Sequence, residues 1–95
     1  MQARLIYRTK ELFPDGAIAE IVIWKLPAAD TERPHGLKYR LFYGKGRRRI
    51  VGYDNERGKD DHRHLHGTER PYRFTNVGRL LSDFWADVDG IRSGT

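Results

Sequence analysis

Only one segment of this chain carries apolar residues at helical spacing, and it lies at the C-terminal end. Val77, Leu80, Leu81, Phe84, Trp85 and Val88 fall on one stripe of a helix over 76–89, with Thr75 as its cap and Gly90 as its stop. Gly78 in the first turn weakens that helix by roughly 1 kcal/mol relative to alanine. A lone amphipathic helix must bury its stripe against something, and the rest of the chain offers only strands. Residues 3–8 alternate. Residues 17–26 (AIAEIVIWKL) are β-branched and apolar on both faces, as in a central strand covered by a helix. Residues 37–43 place Leu37, Tyr39, Leu41 and Tyr43 on one face, and 48–54 return as the partner strand after Gly44-Lys45-Gly46. The Phe13-Pro14-Asp15-Gly16 turn joins the first two strands. The expectation is an α+β fold: a twisted antiparallel sheet of about four strands with one C-terminal amphipathic helix packed on a face.

Ninety-five residues, 38% of them apolar, suffice for one modest core, so 1–95 reads as a single domain. No apolar run is long enough for a membrane span, and MQARLIYRTK does not resemble a signal peptide. Without cysteine there are no disulfides and no thiolate ligands. The reading is cytoplasmic.

Charge and histidine are unevenly spread. The net charge of +5 is concentrated in 38–50, where Lys38, Arg40, Lys45, Arg47, Arg48 and Arg49 have no acidic neighbour. Such a patch attracts polyanions and is assigned here to nucleic-acid binding; a solvated hairpin is the plainer alternative. Residues 54–71 read as a long polar loop holding His62, His64 and His66, three of the four histidines. If 62–66 is extended, the three imidazoles and Asp60 form one row. A metal site would need further ligands, so no metal and no cofactor is assigned. RNA cleavage needs a base, an acid and a cation for the phosphate. His62 and His64 suit the proton roles; Arg57, Lys59 and Arg63 suit the phosphate; Asp61 or Glu69 would orient a histidine, with Tyr53 nearby. A loop of ordinary turns and salt bridges is the alternative, although a structureless stretch of this length is often functional.

The run Tyr53-Asp54-Asn55-Glu56-Arg57-Gly58-Lys59, then Asp61-His62-Arg63-His64, Gly67, Glu69, Pro71-Tyr72 and Phe74, resembles the TumE family of toxins from prokaryotic toxin–antitoxin modules. The likeness extends from about Arg4 to Val88, with Asp60 where the family pattern has glycine and His66 outside the motif. The resemblance implies a small cytosolic toxin paired with a DNA-binding antitoxin of helix-turn-helix type. Three mechanisms are open. The first is metal-independent ribonuclease action; the others are occupation of RNA or a protein without chemistry, and a metal-dependent nuclease. Self-association into a homodimer through an exposed strand edge is also expected.

Overall fold

The computed structural model describes residues 2–29, 33–55 and 60–94. Six strands and one helix follow in the order β1 (Arg4–Leu12), β2 (Ala17–Lys25), β3 (Leu37–Lys45), β4 (Arg48–Asp54), β5 (His62–Leu65), β6 (Thr68–Pro71) and α1 (Val77–Ser93). Each strand pairs antiparallel with the next, so spatial order equals chain order. The α+β class and the single C-terminal helix agree with the sequence reading, but the sheet has six strands rather than about four. The segment expected as a loop over 54–71 contains the β5–β6 hairpin.

Apolar alternation is faint on that hairpin because Leu65 is its one side chain packed against the core. The period of two is carried mainly by polar residues, with His62 and His64 on one side and Arg63 and Leu65 on the other. His66 and Gly67 form its two-residue turn with φ of 49° and 83°, the positive pair that a type I′ connection requires. The turn takes His66 out of the expected row.

The core lies between the sheet and α1. Ala17, Ala19, Ile21 and Ile23 of β2, Tyr39, Leu41 and Tyr43 of β3, and Val51 and Tyr53 of β4 meet Leu80, Phe84 and Val88, all essentially without exposure. The helix starts at Val77, with Asn76 rather than Thr75 as its cap: Asn76 Oδ1 accepts from the Arg79 N–H at 2.8 Å. It continues through Gly90 to Ser93 because its last turn is anchored. Arg92 Nη1 donates to Tyr43 Oη at 3.0 Å and pairs with Asp15 at 3.2 Å. The Phe13–Gly16 turn closes with Asp15 Oδ1 accepting from the Ala17 N–H at 3.1 Å.

Polar side chains brace the sheet at two points. Arg63 grips Asp87 of α1 through two parallel bonds, Nε to Oδ2 at 2.8 Å and Nη2 to Oδ1 at 2.7 Å, and Tyr53 Oη donates to the same carboxylate at 2.5 Å. Just beyond β4, the buried Asn55 acts as a surrogate peptide. Its Nδ2 donates to the Leu37 carbonyl at 2.8 Å and its Oδ1 accepts from the Tyr39 N–H at 3.0 Å, extending the β3–β4 ladder by a side chain. Among the described residues, no helix is long and apolar enough to cross a membrane.

Candidate functional site on the open sheet face

Among the described residues, one helix covers one face of the sheet and no element covers the other. Cross-strand partners share a face, and the residues between the buried positions of β2, β3 and β4 point away from α1. Two rows run across this open face. One is Arg8, Val22, Arg40, Asp54, His62 and Pro71; the other is Lys10, Glu20, Phe42, Gly52, His64 and Glu69. The pairing thus brings His62 and His64 together with Asp54, Glu69 and Arg40.

Gly52 opposes His64, and its missing side chain is what seats Arg49. A Cβ placed on Gly52 would lie 2.9 Å from Arg49 Cδ, closer than real contacts allow. Lying across this gap, Arg49 donates from Nη2 to His64 Nδ1 at 3.0 Å and approaches Asp54 Oδ2 with Nη1 at 3.7 Å. Because a guanidinium only donates, His64 Nδ1 carries a lone pair and its hydrogen is on Nε2. Desolvation and then the Arg49 charge hold the His64 pKa below the ordinary histidine value.

His62 is held differently. Its Nε2 sits between Asp54 Oδ1 at 2.5 Å and Glu69 Oε1 at 2.8 Å. Its Nδ1 lies 2.9 Å from the Asp60 carbonyl. Both ring nitrogens therefore face oxygen atoms, and Nε2 has at most one hydrogen to share between two carboxylates. The two carboxylates differ in freedom, Asp54 being 13% exposed and Glu69 47%. The neighbouring histidines thus have contrasting surroundings, one beside a cation and one between two carboxylates.

The other expected site residues are distributed over the molecule. Lys38 and Arg40 are exposed on the open face, but Lys45, Arg47 and Arg48 lie at the exposed β3–β4 end. Arg63 and Tyr53 lie on the helix face in the Asp87 clamp. Burial, and then the bond to Asp87, push the Tyr53 pKa well above its usual value, so its hydroxyl stays protonated and donating. Asp61 does orient a histidine, but it is His35, absent from the expected set. Leu37 N–H donates to His35 Nδ1 at 3.2 Å, leaving Nε2 to donate to Asp61 Oδ2 at 2.9 Å, where Tyr39 Oη also donates at 2.7 Å. Arg57 and Lys59 lie outside the described residues. Among the described residues, no group of three or more histidine and carboxylate side chains is arranged to hold a metal ion. Asp54 and Gly52 were missed as site residues. Asp54 opened the segment read as a loop, and the role of Gly52 depends on the path taken by the Arg49 side chain, which hydropathy does not mark.

Fold and site together define a class: a one-helix α+β domain whose uncovered sheet face carries an arginine–histidine–carboxylate cluster. The family model described as Toxin TumE matches residues 2–92, and the chain belongs to that toxin family. No curated protein and no solved structure matches it significantly. Membership of a toxin family implies an antitoxin partner.

Proposed function

We propose that this chain is the toxin of a type II toxin–antitoxin module, acting in the cytoplasm on RNA by acid–base cleavage that needs no metal ion. A cognate antitoxin with a helix-turn-helix DNA-binding domain is its partner. The observation that carries the reading is the pairing of two histidines of opposite surroundings on one exposed face beside Arg49.

In this scheme the RNA phosphate draws Arg49 away from His64, freeing the Nδ1 lone pair. His64 Nδ1 takes the proton of the 2′-hydroxyl, and the 2′-oxygen attacks the adjacent phosphorus. The bond from phosphorus to the 5′-oxygen breaks, and that oxygen receives the proton of His62 Nε2 as the half-exposed Glu69 swings aside. The products are a 2′,3′-cyclic phosphate and a 5′-hydroxyl. Arg49 stabilises the charge that develops on the phosphate. Asp54 keeps His62 oriented.

Cleavage of total RNA in EDTA by wild type and by His62→Ala and His64→Ala tests the scheme. Chelator-resistant products from wild type, lost in both folded variants, are expected. Products that vanish with EDTA would overturn the metal-independent mechanism. A second reading, a toxin that occupies RNA or a protein without chemistry, is favoured by the engagement of both His62 nitrogens; it expects no products under any condition. Self-association belongs to the outer edge of β1, where Leu5, Ile6 and Tyr7 are exposed.

A further inference from the structure

We infer that the open sheet face is a stacking platform for single-stranded RNA, in which Trp24 and Phe42 receive bases while Lys38, Arg40 and Arg49 take phosphates on the way to His64. This rests on the RNA reading above and adds the strandedness of the substrate and two residues to which no role was given.

Trp24 is 36% exposed and lies opposite Lys38 on the face away from α1. Phe42 is on the same face in the row of Gly52 and His64, with the Arg40 guanidinium 5.6 Å from its ring centroid. Strand spacing and rise put Phe42 about 10 Å from His64 and Trp24 about 14 Å from Phe42, a track of a few nucleotides. A recess lined by Val22, Trp24, Lys38, Tyr39 and Arg40 lies between the two aromatic positions.

Charge decides what this partly apolar face accepts. The two rows and the Trp24–Lys38 pair, with Arg49 lying over them, contain the cations Arg8, Lys10, Lys38, Arg40 and Arg49 against the acids Glu20, Asp54 and Glu69. Aromatic rings interleaved with cations suit a strand whose bases are unstacked and whose backbone is anionic. A duplex keeps its bases stacked on one another and presents nothing for Trp24 or Phe42 to stack on. Near Phe42 the Arg40 guanidinium is also placed to meet a phosphate beside a stacked base.

The test is fluorescence anisotropy of a labelled short 2′-O-methyl RNA, which lacks the attacking hydroxyl, offered as a single strand and as a duplex. Wild type should prefer the single strand. Trp24→Ala and Phe42→Ala should each weaken binding by roughly tenfold, while Trp24→Phe, which keeps an aromatic face, should retain most of it. Circular dichroism checks the fold of each variant. Equal binding by Trp24→Ala and wild type, or equal binding of duplex and single strand, would overturn the platform. Cleavage of ordinary RNA is scored separately. Trp24-dependent binding without cleavage sustains the platform and removes the ribonuclease reading; cleavage indifferent to Trp24→Ala does the reverse.

Discussion

His64 and Arg49 form the most informative pair of side chains in the molecule, because one controls what the other can do. The His64 pKa is lowered by desolvation and by Arg49. A base with such a pKa remains competent below the usual midpoint of about 6.5. The base limb of the cleavage pH profile should therefore lie below that pH in wild type and move up toward it in Arg49→Gln. The same depression has a sign for stability. The unfolded chain protonates His64 more readily than the folded one, so stability falls as the pH drops through the unfolded value of about 6.5. In Arg49→Gln the acid side of a pH–melting curve should flatten. Gly52→Val should reproduce the loss of the Arg49 contact without touching a charge, since a Cβ there meets the arginine stem. At the catalytic step itself, His64→Ala should lower the cleavage rate by about 10²- to 10⁴-fold.

At the scale of elements, the Arg63–Asp87–Tyr53 clamp decides whether the β5–β6 hairpin stays on the sheet. Asp87→Ala leaves a half-buried guanidinium and a buried hydroxyl without their acceptor and should cost about 1–3 kcal/mol. A lower urea midpoint at unchanged slope would show it. Hydrogen exchange should show the amides of His62–Leu65 losing protection before those of β2 and β3. RNA cleavage should fall with this variant although Asp87 is on the helix face, because His62 and His64 belong to the strand that the clamp positions. Asn55→Ala would unpair the Leu37 carbonyl and the Tyr39 N–H at the end of the ladder, with a cost of about 2 kcal/mol by the same measure. Phe84→Ala, at the centre of the helix stripe, should be the most damaging core change, at about 3–5 kcal/mol.

Considered as a whole, the molecule separates its tasks between two sheet faces and one edge. The helix face supplies stability, the open face the cluster, and the outer edge of β1 exposes Leu5, Ile6 and Tyr7 at 41–43%. An unpaired edge of this kind recruits another strand, and an inserted lysine is the usual protection against it. Ile6→Lys should therefore shift sedimentation toward the monomer without loss of RNA binding, because Trp24, Phe42 and His64 lie on β2, β3 and β5. Lys38, Arg40 and Arg49 would contact phosphate, so RNA affinity should also fall with added salt.

The helix stripe, the β2 run and the β3 alternation were readable in the sequence because each buries apolar side chains at its own period. The β5–β6 hairpin was not, because hydrogen bonds and ion pairs hold it and those interactions have no hydropathy signature. For the same reason His62 and His64 were found by residue type, while Asp54, Gly52 and His35 were not: each has its meaning through a side chain that only the folded sheet brings to it. By itself the sequence determined the fold class, the toxin family, the basic patch and the segment that holds the candidate chemistry. Tertiary structure alone decided which basic residues reach the histidines, that Arg63, Tyr53 and Asp61 belong to structural clamps, and that His66 leaves the row. The physical reason is that hydrophobic burial is encoded by local periodicity, whereas polar clusters are assembled by strand register and exist only once the sheet has formed.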